Sequence, residues 1–153
     1  MLFSSFSFTD SFVYNTLNNH GSVGLINMPS ARFYSEGSFA FNFYRGDPDR
    51  KVTMMAAPYD WLEASFFYTS IQNKPYCSGV EIYCKQDYKD KGFNIKLRIK
   101  EEDFFPAIAI GINDLAGTGL YNSEFIVASY GLNNFDIHFG LGWGVLNGKS
   151  DIA

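Results

Sequence analysis

Lys96, Arg98 and Lys100 alternate with apolar residues in the run GFNIKLRIK. On an extended chain this spacing puts all three cations on one face. Glu63 lies on the neighbouring extended segment, with Asp136 and His138 further round on FDIHFGLG. Such a stripe could guide an anionic glycan by charge-assisted hydrogen bonds. The plainer reading is an internal ion-pair network filling a polar interior, and the residue types favour it. Catalysis is poorly served, because Asp136 and His138 sit two positions apart on one strand. No Ser or Cys nucleophile stands near them on a strand-to-helix turn. No catalytic residue is expected, and the chain does not read as an enzyme.

The other chemistry-bearing residues give little. His20 and His138 are the two histidines of the chain, too few for a His-rich metal site. Gly117-Thr118-Gly119 lacks the lysine and helix that a phosphate cradle needs, and Gly140, Gly142 and Gly144 alternate along a strand instead of opening a helix. Neither a metal nor a cofactor is expected. On an inward face, glycines leave room for tight curvature or for a plug. Cys77 and Cys84 make neither a disulfide scaffold nor a zinc site, but an oxidising compartment would let them close one small loop.

Composition bounds the partners. The 153 residues are 46% hydrophobic and 18% aromatic, with 12 Lys+Arg against 16 Asp+Glu. A formal charge of −4 without a basic cluster excludes a nucleic-acid footprint. Sixteen Phe and ten Tyr give too much apolar area for a disordered tail. No run of about 18 apolar residues occurs, so no transmembrane helix is expected. Met1 to Thr9 is apolar and serine-rich, without a preceding basic segment or a clean cleavage site, and does not read as a secretory signal.

The elements that must position these residues are strands. In GFNIKLRIK the other face carries Phe93, Ile95, Leu97 and Ile99; in residues 135–146, Phe135, Ile137, Phe139, Leu141, Trp143 and Val145 oppose Asp136, His138 and the glycines. Weaker alternation marks Ser38 to Arg45, Lys51 to Ala57, Trp61 to Ser70, Phe105 to Asn113 and Glu124 to Gly131, with room for an eighth strand in Phe6 to Tyr14. Tight connections at Pro58 to Asp60, Glu101 to Phe104 and Asn133-Asn134 alternate with longer ones at Gly46 to Arg50, Ile71 to Lys91 and Asp114 to Ser123. That is the asymmetry of outer-membrane barrels. Parity fixes register: a two-residue Asn133-Asn134 turn aligns Ile126, Ala128 and Tyr130 with Ile137 and Phe139. A four-residue turn at Glu101 to Phe104 puts Ala107, Ala109 and Gly111 beside Lys96 and Arg98. Tyr68, Tyr130, Trp61 and Trp143 lie toward strand ends, where interfacial girdles would form. A soluble sandwich, its apolar faces turned into a core, gives the same alternation.

Several segments resemble the YjbH-like outer-membrane β-barrel family: Gly24-Leu25-Ile26-Asn27-Met28-Pro29-Ser30-Ala31-Arg32, then Asp60 to Phe66, Asp90 to Phe93, Pro106 to Gly111, and Asp114 to Leu120 continuing through Ser123 to Ser129. The resemblance implies a Gram-negative outer-membrane protein associated with exopolysaccharide production and secretion, with no catalytic residues to carry over. Family chains are several times longer and begin with a signal peptide. The expected fold is therefore all-β, an antiparallel meander of about seven or eight strands forming part of a transmembrane β-barrel. Residues 1–36 read as an N-terminal segment with room for one strand, 37–146 as the meander and 147–153 as the truncation point of a longer barrel. The expected function is non-enzymatic export or production of exopolysaccharide in the bacterial outer membrane, with outer-membrane lipid, an anionic exopolysaccharide and other export proteins as partners. The rival is a soluble β-barrel or β-sandwich binding a small apolar or glycan ligand.

Overall fold

The computed structural model describes residues 15–77 and 86–148. Seven strands form one antiparallel sheet in strict chain order: β3 (Ser38–Arg45), β4 (Asp49–Tyr59), β5 (Leu62–Pro75), β6 (Asp87–Lys100), β7 (Ala107–Leu115), β8 (Ser123–Leu132) and β9 (Phe135–Gly142). They are preceded by the two-residue strands β1 (Gly24–Leu25) and β2 (Met28–Pro29), which pair with each other. The sheet curls into a half-barrel, and among the described residues β3 and β9 each have a hydrogen-bonded neighbour on one side only.

The register follows the parity argument. Ala128 pairs with Phe139 and Tyr130 with Ile137 across the Asn133-Asn134 turn, where Asn133 takes a positive φ of 51°. Lys96 pairs with Gly111 and Arg98 with Ala109 across the β6–β7 connection. Each strand therefore sends alternate residues to the concave and convex faces. The assignment of faces is the decisive fact. Lys51, Thr53, Glu63, Ser65, Thr69, Asp90, Asn94, Lys96, Asn113 and Ser129 are buried on the concave side, whereas Phe39, Phe41, Phe43, Ile110, Ile126, Ile137 and Phe139 are exposed on the convex side. Among the described residues the apolar faces do not turn into a core.

Three sequence expectations need correction. Ile71 to Lys91 is not loop throughout: β5 runs to Pro75 and β6 starts at Asp87, with Thr69 paired to Asp90 and Ile71 to Tyr88. Both faces carry polar residues in this stretch, so the hydropathy alternation disappears while backbone pairing continues. Gly46 to Arg50 is also tight, since Arg45 pairs with Arg50 and the Gly46 amide donates to the Asp49 carbonyl at 3.0 Å. One of the three connections read as long is therefore short, and the loop asymmetry is weaker than expected. The last strand ends at Gly142, not Leu146, because Gly144 turns the chain with φ 68° into a short 3-10 segment, Gly144–Asn147. Leu146 folds back against the small apolar core. The region proposed for an eighth strand, Phe6 to Tyr14, lies outside the described residues, as does Cys84 of the Cys77–Cys84 pair.

Candidate functional site: a plugged polar interior

Residues 15–36 do not extend the meander. They enter the concave face, turn as the β1–β2 hairpin and return to β3. Two ties hold the described start of the segment to its end: Asn15 Nδ2 donates to the Phe33 carbonyl at 2.8 Å and Tyr34 O–H donates to the Asn15 carbonyl at 2.8 Å. Gly21 makes the close approach to the sheet, with φ 82° and a Cβ position that would stand 2.0 Å from Thr53 Cγ2. Only glycine fits there, on both conformational and steric grounds.

At the centre is a fully buried ion pair. Lys96 Nζ lies 2.8 Å from Glu63 Oε2, and both side chains are about 1% exposed. The remaining partners of Nζ all lie in the N-terminal segment: its two other N–H bonds are shared among the carbonyls of Val23 at 3.3 Å, Ser30 at 3.2 Å and Arg32 at 2.7 Å. Glu63 accepts from the Val23 amide at 3.2 Å and the Tyr34 amide at 2.9 Å. A buried pair survives only when such additional hydrogen bonds offset its desolvation. Here they also tie 23–34 to β5 and β6.

Asp136 belongs to a second clamp, which the sequence did not suggest. Arg32 reaches across to it as a fork, Nε to Oδ2 at 2.9 Å and Nη2 to Oδ1 at 2.6 Å, and also lies 2.6 Å from Glu102 Oε2. These hydrogen bonds to Asp136 hold the guanidinium firmly charged. His138 Nδ1 shares a 2.7 Å hydrogen bond with Ser129 Oγ, which accepts from the Ala31 amide at 2.9 Å. Its Nε2 is 3.6 Å from Asp136 Oδ2.

The cationic stripe is thus divided. Lys96 meets Glu63; Arg98 pairs with Glu101 at 2.8 Å and lies over the Phe33 ring at 4.6 Å; Lys100 pairs with Asp103 at 2.6 Å near the β6–β7 turn. The Lys100 ammonium, and then the Phe105 amide, hold the Asp103 carboxyl below its ordinary range. Ala107, Ala109 and Gly111 leave inward room, but aromatic rings use it: Phe33 packs with Ala107 and Ala109, and the Phe125 ring covers Gly111. Gly140 stands beside the methyl end of Met28 in the hairpin.

Sequence reasoning missed Arg32, Asn18, Asn94 and the β4 pair Asp49 and Lys51. Asn94 donates to the His20 carbonyl at 2.5 Å and Asn42 to the Asn18 carbonyl at 3.0 Å, two further ties to the segment. Lys51 lies 3.8 Å from Asp49 and 3.7 Å from the centre of the Tyr121 ring, and Tyr121 O–H donates to Asp49 at 2.6 Å. The alternation of Asp49, Lys51 and Thr53 was the available signal. Among the described residues no group of three or more His, Cys, Asp or Glu side chains is placed to hold a metal, and no helix is long and apolar enough to cross a membrane.

The class defined by these features is an antiparallel β half-barrel with an apolar exterior and a charged interior filled by its own N-terminal segment. The chain belongs to the YjbH family: the family model described as "Exopolysaccharide biosynthesis protein YbjH" matches residues 16–153. The chain is also similar to the "Uncharacterized lipoprotein YjbH" of Escherichia coli (strain K12), 37% identical over 136 residues, which is 88% of this chain and 20% of that protein. It therefore spans about one fifth of the length of this curated relative. No solved structure matches the chain.

Proposed function

We propose that this chain is a plugged, membrane-embedded segment of an outer-membrane β-barrel that serves exopolysaccharide production or export without itself catalysing a reaction. One observation carries the reading: burial is inverted across seven consecutive strands, with Lys96 and Glu63 buried while Phe43 is 76% and Phe139 67% exposed. Soluble monomers rarely expose contiguous apolar patches beyond a few hundred Å², and outer-membrane barrels face lipid with such a band around a polar interior. Strands of 8 to 14 residues bracket the roughly 9–11 residues that a tilted strand needs to cross. Tyr59 and Trp61, stacked at 5.4 Å beside the β4–β5 turn, are residue types enriched where such a barrel meets the interface.

Two single-sided edges cannot face hydrocarbon, because each unpaired backbone group there costs several kcal/mol. In this reading further strands pair with β3 and β9, outer-membrane lipid covers the convex face, and other export proteins meet the barrel at its ends. The polysaccharide comes from the family description, and the envelope location draws on the relative's description as a lipoprotein.

The test uses the full-length protein in its host. Fractionation should place it in the outer membrane, gel mobility should change on boiling, and deletion should lower surface polysaccharide, restored by complementation. Recovery in the soluble fraction with boiling-independent mobility would overturn the barrel. Unchanged polysaccharide on deletion would overturn the export role.

A further inference from the structure

A cavity of about 670 Å³ opens where the β1–β2 hairpin, the β3–β4 turn and the inner faces of β8 and β9 meet. Its size is that of ordinary small-molecule sites, about 300–1,000 Å³. One wall is polar, with His20, Tyr44, Asp47 and Lys51; the opposite wall is apolar, with Phe125 and Val127 beside the bare backbone of Gly140.

Two buried groups on the polar wall have unspent hydrogen-bonding capacity. His20 is 8% exposed; its amide donates to Asn18 Oδ1 and its carbonyl accepts from Asn94, but its ring has no hydrogen-bond partner among the described residues. Burial first, then the neighbouring Lys51 ammonium, push the imidazole down to about 4. At neutral pH it therefore offers one donor and one acceptor. Lys51 is 4% exposed. Its ammonium rests on the Tyr121 ring, and its carboxylate neighbour Asp49 stands at 3.8 Å, too far for a strong hydrogen bond.

The local charge selects among ligands. Asp49, Asp90 and Asp114 all act on Lys51, and Asp47 lines the same opening, so the single ammonium is already outnumbered. A carboxylate or phosphate placed here would meet like charge. A wholly apolar ligand would seal His20 and Lys51 from water without partners, an unfavourable burial that is worst for the charged ammonium. An uncharged molecule with hydroxyls on one side and C–H bonds on the other meets both walls.

We propose that this cavity binds an uncharged saccharide unit, its hydroxyls on His20 and Lys51 and its C–H face on Phe125, Val127 and Gly140. The inference rests on the exopolysaccharide reading and assigns it a site and a charge class different from the anionic polymer expected from the stripe.

The experiment is saturation-transfer NMR on full-length protein in lipid nanodiscs, with maltotriose and chitotriose as uncharged probes and trigalacturonate as the acidic one. Transfer to an uncharged probe is expected, with affinity at least fivefold weaker in His20→Phe and in the rim variant Tyr44→Ala. Arg50→Ala, which faces outward, should leave it unchanged. Boiling-dependent mobility checks that each variant is folded; if His20→Phe is not, Tyr44→Ala decides. No transfer to either uncharged probe, tighter binding of trigalacturonate, or unchanged affinity in a folded cavity variant would overturn the proposal. Any of these results from a protein that sits in the outer membrane and supports polysaccharide output overturns the cavity assignment alone. Recovery of the protein in the soluble fraction overturns the barrel reading beneath it.

Discussion

The two faces of one sheet have opposite chemistry and opposite exposure. On β6 the convex residues Phe93 and Ile99 are exposed while the concave Asn94 and Lys96 are buried. The convex face has no covering among the described residues. The concave face is covered by residues 15–36, which supply carbonyls to Lys96, amides to Glu63 and a guanidinium to Asp136. A polar sheet face can be a protein interior when a second segment satisfies its hydrogen bonds. An apolar face can be an exterior when its solvent is not water.

Glu63→Ala breaks this comparison most severely. It leaves Lys96 without its counter-charge and the Val23 and Tyr34 amides without an acceptor, and should cost about 3–5 kcal/mol, read as a lowered denaturant midpoint of the full-length protein in micelles. Ile110→Arg probes the other face. Against lipid it should cost about 2–4 kcal/mol, whereas at a water-exposed position it should stay within about 0.5 kcal/mol. The same unfolding measurement separates the two cases.

Arg32→Ala should cost about 1–3 kcal/mol, the range of charge-assisted hydrogen bonds, because its partners are only partly buried. Its signature is regional: hydrogen exchange should accelerate in residues 15–36 and not in β5 or β6. The smallest effect is pH-dependent. His20 is held down to about 4 by burial and by Lys51, with Asp49 opposing, against an ordinary value of about 6.5. Seating of the segment is thus favoured above about pH 6.5 and weakens as pH falls toward 4, since the released state takes up the proton first. Between pH 7.5 and 5.5 exchange in 15–36, corrected for intrinsic rates, should rise about tenfold, and His20→Gln should abolish that dependence.

Much of the sheet was legible because period-two alternation and turn parity fix strand register. Ile126, Ile137 and Phe139 fell on one face as Asn133-Asn134 required, and Lys96 met Gly111 across the next hairpin. What alternation does not encode is which face is buried, since a one-sided pattern is symmetric under that exchange. The outer parts of β5 and β6 were hidden for a related reason: Gln72 and Lys89 lie in strands whose faces differ little in polarity. The plug was least legible. Its residues form only two short strands, and several of its hydrogen bonds join partners more than 60 positions apart, such as those from Lys96 to Ser30 and Arg32 to Asp136. The Gly24 to Arg32 run resembles the family and the inward glycines of β9 leave room for a plug, yet neither feature marks the segment that fills that room.

The most direct test is a single-cysteine scan of β8 and β9 in full-length protein reconstituted in lipid, with a fluorophore at each position and a nitroxide-bearing acyl chain as quencher. Fluorescence should be quenched with period two, strongly at 126, 128, 137 and 139 and weakly at 127, 129, 138 and 140. Quenching that is uniform along both strands, or that is stronger at the inward set, would contradict the assignment of the apolar face to lipid and the polar face to the plugged interior.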